Sequence, residues 1–200
     1  MREKLPYWNH NTAYFRWIRS QIGNRCDILD VGCGDGALCR YLEAPDRQII
    51  GIDPSGECIG RARAEQSEGE QRFLQCTFEE YECPLESLDA VIFLASLHHM
   101  DAELAIDKAT ALLRPGGVLI VVGLAQPSSL RDKVIEMLRV IPARIGSALH
   151  QMEDSEYLGI PTSYRLNTLD EIRQIAQRYL PGAQMKNGLY YRYLLSWEKR

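Results

Sequence analysis

The chain of 200 residues predicts an α/β fold. Its sheet should be mostly parallel and doubly wound, with helices on both faces and an antiparallel hairpin at the C-terminal end. Three observations carry this expectation. Short apolar runs alternate with amphipathic helical stretches along most of the chain. The first run ends in glycines at every second position, Gly32, Gly34 and Gly36, which suits a strand stopping in a tight loop. Near the C-terminus, Asn187-Gly188 lies between two strand-like runs, the strongest short hairpin signal.

Taken in order, residues 1–25 hold the aromatic cluster Tyr7, Trp8, Tyr14, Phe15 and Trp17, with Tyr14, Ile18 and Ile22 at helical spacing. A strand is expected from Cys26 to Val31, a helix over Ala37 to Leu42, and a second strand from Gln48 to Asp53. Ser55 is placed to cap a helix running through residues 61–66. Strand three should be Arg72 to Cys76 and strand four Ala90 to Leu94. Asp101 caps the next helix, with Leu104, Ala105, Ala109 and Leu112 on its apolar side. Strand five follows from Val118 to Val122. Residues 124–167 carry another helical stripe, Leu130, Val134, Leu138 and Ile141, stopped by Pro142. Thr168-Leu169-Asp170-Glu171 reads as a capping box for a helix with Ile172, Ile175, Ala176 and Tyr179 on one face. Tyr190, Tyr191, Tyr193 and Trp197 belong to the closing strand, as sheet-packing residues.

The chemistry concentrates in Ile28 to Gly36, ILDVGCGDG. Glycines there let a ligand lie against bare backbone. Asp53, ending the next strand, is placed to accept hydrogen bonds from both hydroxyls of a ribose. Together they imply a nucleoside-containing cofactor. Gly32 to Ala37 also satisfies a loose dinucleotide pattern, G-x-G-x-x-A. Asp30 separates the two readings, because its carboxylate would repel a pyrophosphate and attract an ammonium and a sulfonium. S-adenosyl-L-methionine has both cations and no phosphate.

This D-x-G-x-G-x-G loop with Asp53 behind it resembles motifs I and II of the class I S-adenosylmethionine-dependent methyltransferases. The resemblance extends to LDAVIFLASLHH (Leu88 to His99), LLRPGGVLIVV (Leu112 to Val122) and the C-terminal LPGAQMKNGLYYRYLLSWEK. The opening Tyr7-Trp8-Asn9-His10-Asn11 is similar to that of some small-molecule branches. The resemblance implies a Rossmann-like, seven-stranded sheet and one methyltransferase domain. Its parts would be an N-terminal lid or helix (1–25), a cofactor-binding core (26–123), an insertion or lid (124–167) and a C-terminal helix and hairpin (168–200). It implies that backbone around Gly32, Cys33 and Gly34 contacts the methionine part, with Asp30 supplying negative potential and Asp53 holding the ribose. Pro54 would pack on the adenine edge. Thr77 and Phe78 match the adenine-side position, although Thr77 stands where an acidic residue is often found. Leu94 would contact the cofactor through its backbone.

The implied function is methyl transfer to a small-molecule acceptor by in-line displacement. His98 and His10 are the candidate catalytic bases, with His99 beside them, because histidine titrates near neutrality. The aromatic cluster either lines an acceptor pocket, facing the sulfonium, or packs an N-terminal helix on the core. Rival readings are a non-catalytic binder of the cofactor or its demethylated product, and a nicotinamide-dependent oxidoreductase.

With 23 basic and 27 acidic residues, a net charge of −4 leaves no electrostatic footprint for nucleic acid. The longest apolar run, Val91 to Leu97 with Ser96 in it, is far short of the ~20 residues needed to cross a membrane. MREKLPYWNH has no apolar core of a signal peptide, so a cytoplasmic monomer or homodimer is expected. Six cysteines lie between Cys26 and Cys83 without a C-x-x-C pair, which points to reduced thiols and no metal site.

Overall fold

The computed structural model describes residues 10–66, 71–126, 166–188 and 192–200. Its seven-stranded sheet has the order β3-β2-β1-β4-β5-β7-β6. The strands are β1 (Asp27–Val31), β2 (Gln48–Asp53), β3 (Gln71–Gln75), β4 (Leu88–Leu94), β5 (Leu113–Leu124), β6 (Gln184–Asn187) and β7 (Arg192–Glu198). The first five run parallel and β7 is antiparallel to both β5 and β6. Helices α1 (Phe15–Ile22), α2 (Ala37–Leu42), α3 (Gly56–Ala64), α4 (Ala102–Leu112) and α5 (Leu169–Tyr179) flank it. No helix among the described residues is long and apolar enough to cross a membrane.

Successive side chains of a strand point to opposite faces, so each central strand feeds two cores. Ile28, Ala90, Ile92, Ile120 and Val122 pack with α1, α2 and α3. Leu29, Val31, Val91, Phe93, Leu119 and Val121 pack with α4 and α5. The same alternation puts Asp30 on the α2 face. The N-terminal aromatics resolve accordingly: Tyr14 and Phe15 are buried in the first core and Trp17 packs against it. Tyr7, Trp8, Tyr190, Tyr191 and the stripe from Leu130 to Ile141 lie outside the described residues.

Several local expectations need correction. Leu104 is 70% exposed, because the buried stripe of α4 is Ala102, Ala105, Ile106, Ala109 and Leu112. Strand five begins at Leu113, directly after α4, and its Pro115-Gly116-Gly117 turn is a bulge inside the strand. Leu88 pairs with Leu113 and Ala90 with Val118, so residues 114–117 loop out, with Gly116 at φ +80°. The loop is tied to the C-terminus: the Gly116 N–H donates to the Lys199 carbonyl at 2.7 Å. The hairpin read from Asn187-Gly188 forms: Asn187 pairs with Tyr193 and the Gly188 N–H donates to the Arg192 carbonyl at 2.7 Å. The Thr168 capping box forms as read, Glu171 N–H to Thr168 Oγ1 at 3.2 Å and Thr168 N–H to Glu171 Oε2 at 2.6 Å.

Parallel winding leaves the C-terminal ends of β1, β2, β4 and β5 on one edge. The chain crosses to opposite sides of β1 and β4, and ligands of open α/β sheets bind in the crevice at that switch point.

Candidate functional site

The glycine loop leaves β1 and is stitched onto the end of β2. The N–H groups of Gly32 and Cys33 both donate to the Ile52 carbonyl, at 2.8 and 3.0 Å. Gly32, Gly34 and Gly36 all have positive φ, +73°, +57° and +77°, a region that strains any residue with a Cβ. Gly36 has a second constraint, since a Cβ there would lie 2.7 Å from the Phe73 ring.

Asp53 organises the loop from below. Its Oδ2 accepts the Gly34 N–H at 3.0 Å and its Oδ1 accepts the Ser55 N–H at 2.8 Å. One carboxylate thus links the glycine loop to the start of α3, where the Ser55 hydroxyl caps the Cys58 N–H at 3.3 Å. Each carboxylate oxygen retains acceptor capacity beyond one bond, so ribose hydroxyls can donate to the same oxygens.

Asp30 is 1% exposed. The Cys39 thiol donates to its Oδ2 at 3.4 Å, while Oδ1 has no hydrogen-bond partner among the described residues. Burial pushes this carboxyl up to about 7, against the Cys39 bond and with help from the charges of Asp53 and Asp35. A cation arriving beside it would favour the ionised form, so Asp30 is poised to take up its charge when such a ligand binds. Cys33 is buried against Gly51, where a Cβ would meet its Sγ at 2.9 Å. Burial pushes its thiol far up, which keeps it protonated and unreactive.

The remaining residues read from sequence fall in different environments. Pro54 is exposed at the end of β2, its carbonyl accepting from Gln75 Nε2 at 3.3 Å. Thr77 caps its own turn, Oγ1 accepting the Glu80 N–H at 3.2 Å and its N–H donating to Glu80 Oε2 at 2.9 Å. The Phe78 ring turns into the core, edge-on to Phe93 with centroids 5.4 Å apart, and its carbonyl accepts from Lys108 Nζ at 2.7 Å. Leu94 ends β4, half-buried and paired with Val122.

After β4 the chain turns through Ala95, at φ +58°, into a short 3-10 turn, Leu97–His99. The His98 and His99 rings lie against each other, centroids 3.9 Å apart. Burial, the His99 ring and the Arg192 charge push His98 down to about 4. Burial also lowers His99, with Asp53 pulling the other way. Burial first, and Arg192 second, lower His10. Arg192, buried at the start of β7, donates to Asn11 Oδ1 at 2.5 Å. His10 and His98 therefore share Arg192 as an electrostatic neighbour. Sequence reasoning passed over Arg192, although it is the lone charge in YYRYLLSW.

The donor set at the glycine loop suits S-adenosylmethionine. Two buried carboxylates, one with an orphaned oxygen, call for a ligand rich in N–H and O–H donors and positive charge, and disfavour a phosphate. Residues 29–121 match a family model described as "Methyltransferase domain". A methyltransferase of Mycobacterium tuberculosis, described as uncharacterized, is 30% identical over 194 residues, spanning 95% of this chain and 96% of its own length. A ubiquinone biosynthesis O-methyltransferase of a Bradyrhizobium species is 32% identical over 96 residues, 47% of this chain and 38% of that protein. Among solved structures, magnesium protoporphyrin IX methyltransferase of Synechocystis, with bound S-adenosylhomocysteine, superposes with a TM-score of 0.61 at 19% identity, covering 95% of this chain and 81% of that one. The glycine loop, the strand order and the full-length relatives agree, and the chain belongs to the class I S-adenosylmethionine-dependent methyltransferases.

Proposed function

We propose that this enzyme binds S-adenosyl-L-methionine along Asp30, Gly32, Cys33, Gly34 and Asp53 and methylates a small-molecule acceptor, as a cytoplasmic monomer or homodimer. The observation that carries the reading is Asp53, buried at the end of β2 and joined to both the glycine loop and the start of α3. The cofactor's sulfonium supplies an electrophilic methyl carbon. The protein's task is then to hold nucleophile, methyl carbon and sulfur in line. Asp53 orients the ribose, backbone near Leu94 and Phe78 bounds the adenosine, and Pro54 covers its edge.

His98 and His10 take the acceptor side. At about 4, His98 is neutral throughout the physiological range, so its ring is always available to receive a hydrogen bond. A base that weak extracts a proton poorly at neutral pH. Its role is to orient an O–H or N–H nucleophile by accepting its hydrogen bond. A small acceptor is supported by the absence of a strongly basic block and by the ubiquinone-pathway O-methyltransferase among the relatives.

The test is titration calorimetry with S-adenosylhomocysteine and, separately, NADH. Micromolar binding of the first and none of the second is expected, and binding of NADH alone would overturn the reading. Tight binding without turnover on a metabolite panel would favour a non-catalytic binder.

A further inference from the structure

We infer that Lys108 is a positioning residue for the cofactor's adenosine, its ammonium holding the loop after β3 in the shape that meets the adenine. The inference rests on the S-adenosylmethionine reading above, with that loop on the adenine side.

Lys108 lies on α4, and its Nζ donates to three backbone carbonyls of the loop. These are Phe78 at 2.7 Å, Glu79 at 3.0 Å and Tyr81 at 2.7 Å. An ammonium has three N–H donors, so all of them serve this one loop. The same nitrogen stands 5.1 Å from the centroid of the Phe78 ring, within reach of its attraction for a cation. Lysine usually keeps its charge in water, and ordering its side chain sacrifices more rotamer freedom than almost any other. A half-buried lysine bound in this way is a fixed part of the loop, not a solvated charge.

The carbonyls explain why a cation is needed. Oxygens converging on one point carry like partial charges and repel one another. Hydrogen bonds from an ionised donor are roughly twice as strong as neutral ones, so the ammonium offsets that repulsion. The loop's own bonds are local: Thr77 and Glu80 bond each other at the exposed surface, and the Tyr81 N–H donates to the Thr77 carbonyl at 3.1 Å. Turns closed only by such bonds open readily. Lys108 comes from 27 to 30 residues away along the chain and ties this turn to a helix seated in the core through Ala105, Ile106 and Ala109. The Phe78 and Tyr81 side chains are buried independently, so losing the ammonium frees the backbone between them without releasing the whole segment.

The loop's position makes its shape matter for binding. Gln75, the last residue of β3, pairs with Asp53, and its Nε2 donates to the Pro54 carbonyl at 3.3 Å. The loop therefore leaves the sheet beside the carboxylate assigned to the ribose, where the base attached to that ribose reaches it.

Calorimetry well below the melting temperature, on wild type, Lys108→Met and Lys108→Gln, tests the assignment with two ligands. One is S-adenosylhomocysteine; the other is methylthioadenosine, which keeps the adenosine and lacks the amino-acid part. Lys108→Met should bind both about tenfold more weakly, the factor expected if the held shape falls to about one molecule in ten. Lys108→Gln keeps two neutral N–H donors and should fall in between; it reads the same way if the methionine variant does not fold. Hydrogen exchange at the Glu80 and Tyr81 amides should quicken in the unliganded variants. Thr168→Ala, destabilised away from the site, should bind both ligands as wild type does, which separates loop shape from global stability. Unchanged affinity in a folded Lys108 variant would overturn the inference and leave the cofactor reading standing. So would a loss confined to S-adenosylhomocysteine, since the effect would then lie at the amino-acid end. Wild type that binds neither ligand would sink the cofactor reading and this inference with it.

Discussion

Asp30→Asn should make the protein more stable and bind its cofactor less well, with a pH dependence that identifies the cause. The folded-state carboxyl titrates near 7 because it is buried, whereas an unfolded aspartate titrates near ~3.9. Below pH ~4 the group is neutral in both states and contributes nothing. Between about 4 and 7 the folded chain keeps a proton that the unfolded chain has released, so rising pH favours unfolding. Above about 7 the full cost is present. Roughly three pH units at ~1.4 kcal/mol each give about 4 kcal/mol, and losing the Cys39 thiol bond offsets about 1 of it. The asparagine amide keeps the shape of the side chain and never carries the charge. Urea unfolding should therefore show the variant about 1 kcal/mol less stable than wild type near pH ~4 and a gain approaching 3 kcal/mol by pH ~8. That gain is a large fraction of a domain's total of about 5–15 kcal/mol. Calorimetry should show weaker binding of S-adenosylhomocysteine by the same variant. A stability difference that does not grow with pH would refute the argument, as would a variant that is less stable throughout.

Other perturbations test separate parts of the site. Asp53→Asn should weaken S-adenosylhomocysteine binding by about 1.5–3 kcal/mol, the range for hydrogen bonds to a charged group, and an unchanged dissociation constant would remove Asp53 from the site. His98→Ala should lower turnover far more than cofactor affinity, and the wild-type rate at saturating cofactor, where the bound cation keeps Asp30 ionised, should hold down to an acid limb near His98's value of about 4; under that condition a limb near the ordinary imidazole range would contradict the burial of His98. Gly123→Ala should destabilise by about 1–3 kcal/mol, measured by urea unfolding, because its Cβ would sit 2.3 Å from the Tyr193 ring. Thr168→Ala should cost about 1 kcal/mol through loss of the capping box, with cofactor affinity intact.

Much of the fold was legible because its signals are local. Asp53 ends a β-branched run and Ser55 caps the next helix, so both strand end and helix start were readable from adjacent residues. The α4 face was read less well: Leu104 is apolar yet faces solvent, since small alanines at 102, 105 and 109 bring the helix close to the sheet. The bulge at residues 114–117 escaped because it depends on the register with β4 and on Lys199, at the far end of the chain.

The site divides along the same line. Sequence alone determined the cofactor side: a carboxylate, three alternating glycines and a second carboxylate at the next strand end, all within one βαβ unit whose geometry is set by backbone conformation and short spacing. Only the tertiary structure decided that Asp30 titrates near 7, since burial comes from α2 and the neighbouring strands. It alone placed Ser96 against Gly32, and Arg192 in the electrostatic reach of His10 and His98. Those partners come from separate strand ends, and desolvation and Coulomb interactions between them exist only once the sheet has assembled.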